Sequence, residues 1–182
     1  LSKLVIDSDD NISESISYTT RPPRRGEENG IHYHFINSNE FQQMDKANKF
    51  IESAEVHGFH YATSAEWVKN SLALGRDLLF ILDVIGGTKL KETVDAITIF
   101  LVPSDVATLE ERLIRRGTDS ADVIKRRISS AKQEVIVGIH SYDYIVKNES
   151  LEVALGDILS IIRTERIKRR DPKDIIGSLF DK

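Results

Sequence analysis

Residues Ser17 to Phe35 read S-Y-T-T-R-P-P-R-R-G-E-E-N-G-I-H-Y-H-F, a stretch that combines a hydroxyl, separated arginines, a carboxylate and a phenol with Pro-Pro and glycine. A planar guanidinium can donate two parallel hydrogen bonds to a phosphate, so Arg21 and Arg24 presented from a turn-rich loop suit that anion. Tyr33 adds a neutral donor, and Glu27 can hold an arginine in place. The same composition also fits a solvated basic turn beside an edge strand, because Pro, Gly and Arg are common on exposed loops. On this chemistry alone the two readings stand level.

The rest of the chain limits what such a loop can serve. Its 182 residues fit one globular domain with an insertion. With 40% hydrophobic residues a buried core is feasible. The net charge of −4 argues against a general nucleic-acid or membrane-surface binder, so anion chemistry must come from clustered arginines. Cysteine is absent, which excludes disulfides and thiolate metal sites. The five histidines form no metal-ligand set; His32 and His34 could share a strand face, but no further ligands follow. No apolar run approaches the length of about 18 residues that spans a membrane, and no signal peptide is visible. A soluble cytoplasmic protein is the expectation.

Three apolar runs, Leu78–Leu82, Ile97–Val102 and Tyr142–Val146, lack polar alternation, as expected for strands buried on both faces of a parallel sheet. Helical patterns follow them. Pro103 and Ser104 open one with Val106, Leu109 and Leu113 on one face, ending at Gly117. Ser150 is the expected N-cap of another that buries Leu151, Leu155, Ile158, Leu159 and Ile162. Strand–helix alternation predicts an α/β layer fold with right-handed crossovers. Between Ser15 and Trp67 the texture changes to turns, short aromatic stretches such as Ile31–Ile36, and one helix from Asn39 to about Asn48. Thr118–Gly138 forms a further unit, with Asp119 or Ser120 capping a helix whose Ile124, Ile128, Ala131 and Val135 share a face. The tail beyond Arg166, basic at Lys168, Arg169 and Arg170, reads as a solvated terminus.

The order T-T-R-x-P-R-x-x-E-x-x-G-x-x-Y-x-F resembles the GMP-binding signature of guanylate kinases. The resemblance continues through A-E-V-H-G-x-x-Y at Ala54–Tyr61, D-V-x-G at Asp83–Gly86, R-R-G-T-D-S at Arg115–Ser120 and D-Y-I-V-x-N at Asp143–Asn148. It runs from Leu1 to about Arg166. The fold it implies is α/β: a P-loop-kinase-type parallel sheet core flanked by helices, with an inserted small antiparallel GMP-binding subdomain and a helical lid. The implied boundaries are 1–14, 68–116 and 139–182 for the core, 15–67 for the subdomain and 117–138 for the lid.

The implied activity is transfer of the γ-phosphoryl group of ATP to GMP or dGMP, with Mg²⁺ accompanying ATP. By motif position Arg21, Arg24, Tyr33 and Tyr61 would hold the GMP phosphate, with Glu27 beside them. Ser17, Glu52, Thr63 and Asp83 would read the guanine side. A carboxylate at Glu52 makes chemical sense, because guanine offers N1–H and the 2-amino group as adjacent donors whereas adenine does not. Taken alone, Glu52 would be a surface carboxylate; buried Glu is rare. Arg112, Arg116 and Arg127 resemble the arginines that meet the ATP phosphates; with Arg21 they form the implied catalytic set. Asn148 would meet adenine. Outside the resemblance, the lid arginines read equally as a charged helix face pairing with Glu110 and Glu111. The expected partners are the two nucleotides, without nucleic acid or membrane.

The chain departs from the family pattern in one large respect. The loop G-x-x-x-x-G-K-[ST], whose amides and lysine cradle ATP phosphates, does not occur in it. L-S-K-L-V at the start resembles the helix just after that loop. A leading segment carrying a strand and the loop, on the order of 15–25 residues, is therefore expected before Leu1. The Mg²⁺-binding hydroxyl would lie there, so no protein metal ligand is assigned. Ile85 stands where the family often has Gln, Ala62 where Gly is usual, and His60 replaces an aromatic residue. Two other functions fit the same fold: a non-catalytic guanylate-kinase-like module that recognises a phosphorylated partner, and a kinase acting on another phosphorylated acceptor. The base-reading and lid positions separate the enzyme from the module, because a binding module would be expected to lose them.

Overall fold

Two parallel strand pairs and one mixed sheet carry the architecture of this computed structural model, which describes residues 1–56, 58–116 and 121–170. In chain order the elements begin α1 (Ser2–Asp7), β1 (Ile12–Glu14), β2 (Tyr18–Thr19), β3 (His34–Phe35), α2 (Ser38–Lys46), β4 (Phe50–Val56), β5 (Phe59–Ser64) and α3 (Ala65–Ala73). They continue with β6 (Asp77–Leu79), α4 (Val84–Thr93), β7 (Ile99–Pro103), α5 (Val106–Arg116), α6 (Ala121–Ser141), β8 (Tyr144–Asn148) and α7 (Leu151–Lys168). Among the described residues no helix is long and apolar enough to cross a membrane.

In the α/β part, β1 pairs with β6 and β7 with β8, both in parallel. Val5 of α1, Ile12 of β1, Val146 of β8 and Ala154 and Ile158 of α7 form the core cluster, with Leu79, Ile99, Leu155, Leu159 and Ile162 packed around it. The strands start and stop slightly away from the apolar runs. Thr98 donates from both its amide and its hydroxyl to the Asp143 carboxylate, each at 2.8 Å, and the Asp143 amide donates to the Thr98 hydroxyl. That knot fixes the register, so pairing opens at Ile99 and Tyr144. Burial on both faces does not extend along whole strands: Leu101 and Ile145 stay 41% and 47% exposed.

Helix ends follow side-chain caps. The Ser150 hydroxyl accepts the Val153 amide, as the sequence predicts, but Leu151 in the first turn is exposed rather than buried. Asp105 accepts the Thr108 amide, so α5 opens two residues later than Pro103 and Ser104 would have it, and Val106 faces solvent. Helix α6 runs unbroken past Gly138, where its backbone crosses the Phe100 ring; a Cβ there would lie 2.6 Å from ring carbons. Just beyond α6, Tyr142 reaches α4, and its hydroxyl would lie 2.1 Å from a Cβ at Gly87. The expected caps Asp119 and Ser120, the stop at Gly117 and the tail from 171 fall outside the described residues. The start of the basic tail is not simply solvated. Lys168 donates to Glu165 and to the Tyr144 hydroxyl, and Arg169 pairs with Asp95. Near the end of α7, Arg166 clasps Asp9, after α1, and Asp77, which opens β6.

The inserted region is a four-stranded sheet in the order β3-β2-β5-β4. β5 runs antiparallel to both β2 and β4, while β3 lies parallel to β2. Asn37 and Glu40 cap each other's amides at 2.9 Å, which starts α2 at Ser38 rather than Asn39. Phe41 seats that helix on the sheet, stacked on His60 and tilted against Phe50, with ring centroids 5.0 Å away in each case.

Candidate functional site

Strand pairing gathers the residues of the opening motif. Tyr18 and Thr19 of β2 pair with Ala62 and Tyr61 of β5 on one side and with β3 on the other. Arg21 just after β2, Tyr33 just before β3 and Tyr61 on β5 therefore meet. Thr19, fully buried, donates its hydroxyl to the His60 carbonyl at 3.0 Å and accepts the Arg21 amide at 3.1 Å. The Thr20 hydroxyl accepts the His60 amide. Arg21 thus leaves the strand in a fixed direction.

Its guanidinium is only 8% exposed as a residue, and a buried cation needs a counter-charge. Glu27 supplies it: Oε1 accepts from Arg21 Nη2 at 2.8 Å, and Oε2 accepts the Arg24 amide at 2.6 Å. The Pro22 carbonyl takes Arg21 Nη1. Gly26, with φ of 86°, supplies the left-handed turn that brings Glu27 back. The guanidinium carbon lies 5.4 Å from the Tyr33 ring centre and 5.9 Å from that of Phe35. The Glu27 bond raises the Arg21 pKa, with help from the Tyr61 hydroxyl, and Arg21 holds Glu27 below the usual carboxylate range. Burial pushes the Tyr33 phenol up, so it stays a neutral donor. Arg24 is exposed beside this cluster.

The second cluster lies across the same sheet. Glu52 on β4 stands opposite Thr63 on β5, whose hydroxyl donates to Glu52 Oε1 at 2.7 Å. Both are buried, Glu52 at 7% exposure and Thr63 at 0%. Burial raises the Glu52 pKa, against the Thr63 bond, which favours the charged form. Asp83 caps α4, its Oδ1 accepting the Gly86 amide at 2.9 Å. A Cβ on Gly86 would lie 3.0 Å from that oxygen and 3.5 Å from Glu52 Oε2. The two carboxylates therefore converge on a residue with no side chain. Ser17 is buried at the start of the motif, with its carbonyl accepting the His34 amide.

On the far side, Arg112 of α5 donates to the Asn148 carbonyl at the end of β8, at 3.3 Å. Arg127 sits half-buried on α6. Arg116 ends α5, and its side chain lies outside the described residues, as does His57. The other paired histidines go separate ways. His32 Nδ1 accepts the Glu28 amide, whereas His34 stacks on Tyr18. Two contributors were not singled out from the sequence. Thr19 carries the backbone of Arg21, and its only signal was the T-T-R triplet; Phe35 faces the guanidinium, and its signal was the Y-x-F alternation that puts it beside Tyr33.

Comparison with known proteins agrees with this geometry. A sequence model described as guanylate kinase matches residues 1–165. The guanylate kinase of Methylobacillus flagellatus is 41% identical over 170 residues, 93% of this chain and 84% of that protein. That of Agrobacterium fabrum is 40% identical over 187 aligned positions, covering 100% and 84%. The crystal structure of guanylate kinase from Anaplasma phagocytophilum superimposes with a TM-score of 0.80 at 28% identity, over 98% of this chain and 89% of that one. Since the matched span contains both residue clusters and both strand pairs, the chain belongs to the guanylate kinase family.

Proposed function

We propose that this chain transfers the γ-phosphoryl group of ATP to GMP or dGMP, releasing ADP and GDP or dGDP. The observation that carries this reading is the shared β5 strand, with Tyr61 beside the buried Arg21 and Thr63 bonded to the buried Glu52. Residues two apart face the same side of a strand. One face thus offers a cation cluster for a phosphate and a carboxylate for a base with adjacent N–H donors.

The acceptor needs no strong base. A phosphate monoester has its second pKa at about 6 and is largely dianionic at neutral pH. One of its oxygens bonds to the γ-phosphorus as the bond to the β–γ bridging oxygen breaks, and that oxygen leaves with ADP. Arg21, Arg24, Tyr33 and Tyr61 hold the GMP phosphate in line, while Ser17, Glu52, Thr63 and Asp83 read guanine. Arg112, Arg116 and Arg127 neutralise charge on the transferring group, and Asn148 faces adenine. Mg²⁺ enters with the co-substrate as MgATP. The chain then divides into a core (1–14, 68–116, 139–182), a GMP subdomain (15–67) and a lid (117–138), and the proposed compartment is the cytoplasm.

The test is ADP release with MgATP and GMP, against an AMP control, on protein of verified intact mass. GMP-dependent turnover is expected. Equal turnover with AMP would remove the guanine-reading role, and tight GMP binding without turnover would leave either an enzyme lacking its ATP-phosphate loop or the binding module.

A further inference from the structure

Strand β4 is the outer strand of its sheet, with β5 on its inner edge. Its register against β5 slips between Phe50 and Glu52, which leaves Ile51 as the extra residue of a bulge. A bulge re-aims the side chain beside it and locally disrupts the ladder. Here that side chain is Glu52. Within the sheet Thr63 holds the Glu52 carboxylate, but the open edge of β4 has no ladder partner, so any further support has to come from outside the sheet.

Helix α4 supplies that support. Lys89 Nζ donates to the Ser53 carbonyl at 2.8 Å, one residue beyond Glu52. Gly86, one turn earlier on the same face of α4, lies against Glu52 Oε2. Two successive residues of β4 therefore rest on two successive turns of α4, the helix that Asp83 caps. Lys89 also lines an open cleft with Asp45, Phe50, Glu92 and Thr93, so its ammonium keeps water on one side. Its charge favours the ionised form of Glu52, against burial and the neighbouring Asp83.

We propose that Lys89 is a positioning residue for guanine selection, holding the bulged Glu52–Ser53 step of β4 against α4 so that Glu52 and Asp83 present to the base together. This rests on the GMP reading above. A merely structural tether would lower stability and affect every ligand alike, whereas a positioning residue acts on guanine alone and only through Glu52.

The experiment is equilibrium titration of the full chain with GMP and with AMP, for wild type, Lys89→Met, Lys89→Arg, Glu52→Gln and the Lys89→Met/Glu52→Gln double variant, each checked for folding by thermal melting. Lys89→Met is expected to weaken GMP about tenfold, the scale of one lost hydrogen bond, and to leave AMP unchanged. Lys89→Arg, which can still reach the carbonyl, should stay within about threefold of wild type. In the Glu52→Gln background Lys89→Met should add nothing further. Unchanged GMP affinity in Lys89→Met, equal losses for GMP and AMP, or independent losses in the double variant would each overturn the proposal. Wild-type protein that shows no preference for GMP over AMP would overturn the GMP reading and this inference with it. A preserved preference beside an inert Lys89→Met would overturn this inference alone.

Discussion

The proposed acceptor side of the cleft and the proposed ATP side are built differently. Around β2, β5 and β4, several proposed readers are held by bonds within the protein: Arg21 by Glu27 and Pro22, Glu52 by Thr63, Asp83 by the Gly86 amide. On the other side, Arg112 donates to the Asn148 carbonyl at 3.3 Å, from a helix whose Val106 and Ile114 are 62% and 59% exposed. The proposed tasks account for the difference. Choosing guanine depends on hydrogen bonds, which weaken steeply with angle, so the partners must be fixed in advance. Neutralising phosphate charge depends on Coulomb attraction, which falls only as the inverse of distance, so helix-borne arginines can do it with less rigid support.

Substitutions on either side test this contrast. The largest effect is expected for Arg127→Ala, with kcat falling about 10³-fold and GMP affinity nearly unchanged in single-turnover and binding measurements. A parallel loss of GMP affinity would erase the distinction between the two sides. Next comes Arg21→Ala, expected to lower kcat/KM for GMP by about 10²-fold or more, with Arg21→Lys giving little recovery because the two-pronged donor is gone. Full recovery with lysine would mean that only charge matters there.

Glu52→Gln should weaken GMP by about 10–100-fold and spare ATP, the scale of a hydrogen bond to a charged group. The same residue predicts a pH effect. Burial raises its carboxyl, so it takes up a proton before an ordinary glutamate would as pH falls. Protonated Glu52 loses acceptor capacity where guanine needs it. The contribution of Glu52 to GMP affinity should therefore be complete above the raised value and decline on acidification while still above about 4.3, the ordinary glutamate value. The GMP phosphate titrates at about 6 with either protein, so the Glu52 step is the difference between the wild-type and Glu52→Gln profiles; profiles of the same shape would contradict the assignment. The smallest effect lies behind the Asp83 cap. Gly87→Ala forces the Tyr142 ring aside, at about 1–3 kcal/mol, and should lower Tm by several degrees; because the Tyr142 hydroxyl donates to the Asp83 carbonyl, a small loss of GMP affinity should accompany it.

What could be read from the sequence was mostly local chemistry. Ser150 and the face containing Ile158 predicted α7 because a cap and a helical period are carried by near neighbours. The motif from Ser17 to Phe35 named Arg21, Tyr33 and the part played by Glu27 for the same reason. Strand β1 spans three residues, too few to show a period, and its pairing with β6, which overlaps the start of the apolar run Leu78–Leu82, joins distant segments. The expected burial of Leu151 failed because a periodic face says nothing about where the core ends. Lys89 carried no signal at all, since its meaning depends on a carbonyl 36 positions away. Gly87 and Tyr142 likewise acquire a role only when α4 and the end of α6 meet.

The clasp made by Arg166 has a consequence for the order of folding. It joins residues 157 positions apart at Asp9 and 89 apart at Asp77. Closing such long loops requires much chain entropy to be given up before the contact forms, so local helices and the β4–β5 hairpin have the earlier opportunity. A contact made late is absent from the transition state and acts mainly as a brake on escape from the native state. Arg166→Met should accordingly speed unfolding in denaturant-jump measurements while leaving the refolding limb almost unmoved. The clasp would then govern how long a folded molecule lasts far more than how quickly it arises.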